Sequence, residues 1–169
     1  MRNFLILAIS ELVGNKPDMF YFQGDVKIEN IVWQTDVRFS EKEIEAKIKE
    51  LEAQAEIKEK YQAIETYIYS HYTAKKQAQD SVWIENFRTK LEAHGVKDLS
   101  KKIADFTTSF YNGKSLEEVL IGIDDSVKFM YEKLVKVAIK NEWAYEAIQE
   151  GKKAIAENRE PNYPPFPAV

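Results

Sequence analysis

The chain has 169 residues, 44% hydrophobic and 31% charged, which is enough apolar material for a packed core and is not the composition of a disordered chain. Its 24 basic and 28 acidic residues leave a net charge of −4 and are interspersed, without the basic surplus or stripe of a nucleic-acid binder. Cysteine is absent, which excludes disulfides, thiolate metal sites and a cysteine nucleophile and fits a reducing cytoplasm.

Met1-Arg2-Asn3 precedes an apolar run at residues 4–9, but Glu11 follows closely and no small-x-small cleavage site appears, so the segment reads as structure and not as a signal peptide. No stretch approaches the ~20 apolar residues of a membrane span. Leu5, Ala8, Ile9, Leu12 and Val13 repeat at helical spacing and predict a short helix, favoured over a buried strand at 4–9. Gly14-Asn15 and Pro17 end it. Residues 19–22 (Met-Phe-Tyr-Phe) and 28–35, containing Ile31, Val32 and Trp33, are strand-like and flank a Gly24-Asp25 turn, which predicts an antiparallel hairpin with one face covered by a helix.

Ser40 and Glu43 form a capping box that opens a long helix. Ile44, Ile48, Leu51 and Ala55 follow at 4, 3, 4 spacing, and Ile57, Tyr61, Ile64 and Ile68 repeat it with an offset of two residues. The apolar seam therefore changes face near residue 56, as in a helix meeting two different partners and not in a continuous coiled coil. Glu43–Lys47, Glu45–Lys49 and Glu56–Lys60 are expected i, i+4 pairs.

Asp80-Ser81 offers a cap for a helix with Val82, Trp83, Ile84, Phe87 and Leu91 on its apolar face, ending at His94-Gly95. Ser100 is read as the cap of another helix, ended by Asn112-Gly113. Ser115-Leu116-Glu117-Glu118 is a second capping box. An amphipathic helix runs from Ser126 until Asn141 breaks or caps it, and one more helix, weakened by Gly151, carries Trp143, Ala147, Ile148 and Ile155. The prolines of residues 160–167 exclude a helix there and predict an extended, polyproline-like tail. The predicted class is α+β, mostly α: a helix–hairpin–long helix module at 1–75, a helical bundle at 76–158 and the Pro-rich tail at 159–169.

Candidate chemistry has structural explanations throughout. His71 and His94 have no second histidine or carboxylate at metal-ligand spacing, and His94 suits a helix C-terminus. Gly113-Lys114-Ser115 resembles the end of a phosphate-binding loop, but Thr108 stands where that motif needs glycine. Asp124-Asp125 precede Ser126, where acids favour a helix start. No nucleophile signature is present. The expectation is a protein that binds and does not catalyse, with no catalytic residue, metal or cofactor. Its candidate protein-binding residues are Phe20, Phe22 and Trp33 on the hairpin, Tyr61, Tyr67, Tyr69 and Tyr72 on the long helix, and Tyr163 and Phe166 in the tail. The tail is either an ordinary tail lying on the body or a docking peptide.

Residues 3–62 resemble the N-terminal part of small tailed-bacteriophage proteins encoded beside tail or tail-fibre genes, some of them tail-fibre assembly chaperones and others virion-associated proteins. The resemblance lies in the short helix, the aromatic strand at 19–22, Gly24-Asp25, Ile31-Val32-Trp33 and the capped, Glu/Lys/Ala-rich helix from residue 40. Residues 83–91 (Trp-Ile-Glu-Asn-Phe-Arg-Thr-Lys-Leu) are similar to a Trp-x-x-Tyr-Arg-x-x-Leu helix of the fibre-assembly group, as is the Pro-rich aromatic ending. Residues 96–157 add helices that the short members lack. The resemblance implies an accessory protein that binds a phage tail or tail-fibre component, in the host cell cytoplasm or in the virion, with neither nucleic acid nor membrane as partner. The alternative is a phage-encoded inhibitor or adaptor that binds a host protein. Self-association through the long helix is a further expectation.

Overall fold

The computed structural model describes residues 4–34, 36 and 38–169; Met1, Arg2 and Asn3, the expected strand residue Thr35, and Val37 lie outside the described residues. The fold is α+β and mostly α, with a short antiparallel hairpin followed by long helices. The chain divides into two compact units, Met1–Lys60 and Tyr61–Val169.

In the first unit, α1 (Phe4–Leu12) buries Ala8 and Ile9. Residues 4–9 are thus helical, as their 3.6-residue repeat requires. β1 (Phe20–Phe22) pairs antiparallel with β2 (Ile31–Trp33), with Phe20 opposite Trp33 and Phe22 opposite Ile31. The second strand is shorter than the sequence predicts, because Ile28–Asn30 forms a 3-10 turn. Gly24 at φ +101 reverses the chain, a conformation that glycine adopts without steric cost. Strand alternation turns Phe20 and Phe22 to the same side, where they pack with Trp33, Phe39 and Ile48 around buried Ile9, Val13 and Ile44.

α2 (Glu41–His71) starts at the predicted box: Ser40 N donates to Glu43 Oε2 at 2.7 Å, and Glu43 N donates to Ser40 Oγ at 3.3 Å. That use of Glu43 explains why Lys47 pairs elsewhere, with Glu11 at 3.0 Å and Glu50 at 3.1 Å. The expected Glu56–Lys60 pair forms at 2.8 Å. Ile44 and Leu51 are buried in the first unit, and Ile64 and Ile68 in the second. Residues 52–63 carry no buried side chain, and Ile57, expected in the second seam, is 47% exposed.

The second unit is built around α6 (Asp125–Ala156), with α3 (Ala74–Ala93), α4 (Leu99–Tyr111) and the short α5 (Leu116–Val119). One buried cluster joins Phe87, Leu91 and Leu99 to Tyr131, Leu134, Val135 and Ile139. A second joins Ile64, Ile68 and Tyr72 to Trp143 and Ala147. The capping box at Ser115 and Glu118 forms as expected, and Asp124 caps α6 by accepting from Ser126 N at 2.8 Å.

Several boundaries differ from those predicted. α3 opens earlier than Asp80-Ser81, because the Thr73 hydroxyl accepts from Lys76 N at 3.2 Å and so caps the helix. Asp80 lies inside α3 and is 1% exposed. Val82 is 62% exposed because it lies on the far side of α3 from Phe87 and Leu91, while Trp83, one turn before Phe87, packs against that ring at 5.0 Å and stays 41% exposed. α4 begins at Leu99, whose side chain is buried, and its N-cap is Asp98, not Ser100. Asn141 breaks nothing: α6 runs on through it. Its side chain is exposed and costs a few tenths of a kcal/mol in propensity, while Ile139 and Trp143 on either side are fully buried.

Gly151 does not weaken α6 but lets it approach α2. A Cβ there would stand 2.5 Å from Ile64 Cδ1 and 2.6 Å from its Cγ1. Gly151→Ala is therefore expected to lower stability by about 1–2 kcal/mol despite the ~1 kcal/mol better helix propensity of alanine. Urea unfolding checks this, and Ile64→Val in the same chain should recover part of the loss.

Candidate protein-binding surfaces

The sequence-predicted residues fall into three environments. On the hairpin, Phe20, Phe22 and Trp33 face the core of the first unit and are half-buried; the Phe20 and Trp33 rings lie 6.3 Å apart. The outward residue is Tyr21, 47% exposed, with Val26 also exposed. Strand alternation carries the signal for Tyr21, since it must oppose Phe20 and Phe22.

The four tyrosines split by position, with Tyr61, Tyr67 and Tyr69 on α2 and Tyr72 just past its end. Tyr72 is 2% exposed, and burial together with Asp80 pushes its hydroxyl pKa upward, so it stays protonated. Tyr67 is half-buried, and its hydroxyl donates to Pro164 O at 3.0 Å. Tyr61 and Tyr69 are 45% and 46% exposed and rim a groove of about 330 Å³ in the second unit. Its apolar lining is Ile64, Ile68, Ala144 and Ile148, with Glu65 and Lys152 as its charged residues. Tyrosines around an apolar floor, with a few charges at the edge, are the composition of a protein-recognition surface.

The tail is docked along α6. Trp143 Nε1 donates to Pro164 O at 2.9 Å. Tyr163 stacks on Tyr67 with centroids 4.1 Å apart, and Phe166 stands edge-on to Trp143 at 4.9 Å. Glu150 fixes the start of the tail, accepting from Arg159 Nη1 at 2.6 Å and from Asn162 N at 2.8 Å. The Arg159 hydrogen bond foremost, then the Asn162 amide, holds the Glu150 carboxyl down at about 2 from its usual 4.5. A depressed carboxylate pKa stabilises above the unfolded value and is lost as pH falls through the folded one. Between pH about 4.5 and about 2 the tail is therefore expected to loosen, lowering the protection factor of the Asn162 amide relative to its intrinsic exchange rate at each pH. Unchanged protection down to pH 2 would contradict this.

A larger groove of about 620 Å³ lies between α3, α4 and α6, floored by Ile84, Ile103, Leu134 and Ala138. Tyr111, Glu142 and Glu146 line it as well. Tyr111 donates to Ile139 O at 2.9 Å; its pKa is pushed up to about 12, by burial first and then by the charges of Glu146 and Glu142. This groove is not among the surfaces that the sequence picks out. Its available signal was the like-charge pair Glu142 and Glu146 at i, i+4, which costs a helix a few tenths of a kcal/mol.

His71 lies exposed at the end of α2 with its ring 5.6 Å from that of Phe166, and His94 is the C-cap of α3. Gly113 ends α4 at φ +94, and Ser115 caps α5. Among the described residues, no group of three or more histidines and carboxylates is placed to hold a metal ion, and no helix is long and apolar enough to cross a membrane. No protein-family model, curated protein or solved structure matches the chain.

Proposed function

We propose that this chain is an accessory protein of a bacteriophage tail or tail fibre that works by binding a phage structural protein, as an assembly chaperone in the host cytoplasm or as a component of the virion. The observation that carries the binding role is the apolar groove rimmed by Tyr61 and Tyr69. The phage setting rests on the resemblance of residues 3–62, whose short helix and aromatic hairpin pack with the start of the capped helix, at Ile44 and Ile48.

Tyr61 and Tyr69 are half-exposed, so replacing both with alanine is expected to change stability by no more than about 1 kcal/mol. The same change should weaken partner binding at least ~10-fold, because truncated interface tyrosines commonly cost 1–2 kcal/mol or more. Affinity capture of the tagged protein from infected cells, followed by titration of the recovered partner, measures both. Proteomics of purified virions separates the two roles, a virion component being present at fixed copy number and a chaperone absent. Recovery of a host protein alone would replace this reading with a host-directed inhibitor. Absence of any phage structural partner from cells and virions would overturn it.

A further inference from the structure

The cleft that holds the tail has the chemistry of a peptide-recognition site. Two donors, Trp143 Nε1 and the Tyr67 hydroxyl, converge on one backbone carbonyl, Pro164 O, at 2.9 and 3.0 Å. Tyr163 lies against the Tyr67 face with the rings 13° from parallel, and Phe166 meets Trp143 at 90°. Extended proline-rich segments are held in this way elsewhere, by aromatic walls that also hydrogen-bond an exposed carbonyl, because the segment has little entropy left to lose. The ligand that fits the cleft is an extended Tyr-Pro-Pro-Phe stretch, and a second copy of this chain necessarily carries one.

We infer that the cleft takes the tail of a second copy, and that reciprocal exchange of residues 159–169 forms a two-fold dimer. The connection supplies the hinge. α6 ends at Ala156, and Asn158 adopts φ +49, which turns the chain back along the helix it has just left. Contacts to Glu150 and then to Trp143 follow in that reversed order. The left-handed region is unfavourable for residues with a side chain, though asparagine tolerates it best after glycine. When Asn158 leaves that region, the tail points away from its own cleft and towards a neighbour's. The contacts of Asn162, Tyr163, Pro164 and Phe166 with Glu150, Tyr67 and Trp143 are then remade between molecules and are unchanged in kind. The hinge conformation and the protein concentration therefore decide between the two forms.

The test is the mass in solution of full-length Asn158→Pro. Proline removes the N–H that donates to Ile155 O and fixes φ near −65°, so the reversal is lost. The expected result is a species of about twice 19.7 kDa that returns to monomer mass when Tyr163→Ala and Phe166→Ala are added. A monomer at all concentrations overturns the inference, as does a dimer that survives those two replacements. A second measurement holds if the proline variant does not fold. A labelled peptide of residues 159–169 is titrated into full-length protein carrying Tyr163→Ala and Phe166→Ala, whose own tail is weakened. Saturable binding is expected, about fivefold weaker when Trp143→Phe removes one donor. No binding, or binding indifferent to Trp143→Phe, overturns the inference.

Discussion

Asp80→Ala is expected to lower stability by about 3 kcal/mol, with a clear fall in the urea midpoint. Asp80 is 1% exposed on α3 and accepts from the Tyr72 hydroxyl at 3.1 Å. Lys140 Nζ on α6 stands 3.7 Å from the same carboxylate oxygen, with its own side chain 15% exposed. Lys76 Nζ lies 3.1 Å from the other oxygen, which no donor reaches in hydrogen-bond geometry. That contact is a charge pair without a directed bond, and Lys76 is 42% exposed, so water screens it. Burial pulls the Lys140 pKa down, and attraction to Asp80 opposes this. Removing the carboxylate leaves Lys140 poorly hydrated without its counter-charge and Tyr72 without an acceptor. That asymmetry sets the magnitude: the assembled cluster contributes little net stability, but breaking it on one side is costly. Asp80→Asn should cost less, since it keeps an acceptor for Tyr72. Asp80→Leu with Lys140→Met should fall well short of the sum of the single changes. Additive losses in that pair would show that the two groups do not interact.

Asp80 also marks where sequence reasoning stops. Asp-Ser before an apolar run has the local form of a helix cap, and what makes a buried aspartate tolerable in mid-helix is a tertiary cluster, the Tyr72 hydroxyl and Lys140 from a helix distant in sequence, together with Lys76. Asn141 and Gly151 follow the same logic. Their propensities argue for interruption, and packing through Trp143 and Ile64 overrides them. Features written in neighbouring residues were legible: both Ser-Glu capping boxes and the aromatic hairpin. The expected second seam of α2 holds only for Ile64 and Ile68, since Ile57 and Tyr61 are exposed. The binding surface was legible in part. Tyr61, Glu65 and Tyr69 succeed one another every four residues on one line of α2, while Ile64 and Ile68 form the adjacent buried line, which Tyr72 continues just past the helix end. Helical phase alone could have separated exposed Tyr69 from buried Tyr72. The docking of the tail could not be read this way, because its partners Tyr67 and Trp143 come from two different helices.

Trp143→Ala is expected to cost about 4 kcal/mol, the usual range for deleting a large aromatic from a packed interior being 3–5 kcal/mol. Trp143 is 1% exposed and touches three aromatic neighbours, with ring centroids 5.9 Å from Tyr67, 5.7 Å from His71 and 4.9 Å from Phe166. Two of these belong to α2 and one to the tail, so the cavity would loosen α2, α6 and the tail together. Its indole N–H is the smaller part of the effect. Trp143→Phe keeps most of the ring and leaves Pro164 O with the Tyr67 hydroxyl as donor, so about 1 kcal/mol should be lost. The two variants therefore separate packing from hydrogen bonding at one position. In the alanine variant, protease cleavage within residues 159–169 should accelerate under native conditions, because the tail loses a wall and a donor at once. In the phenylalanine variant it should rise only about fivefold, in line with the one lost donor. If the alanine variant unfolded at nearly the wild-type urea midpoint with its tail still protected, Trp143 would not be the post on which tail and helices meet.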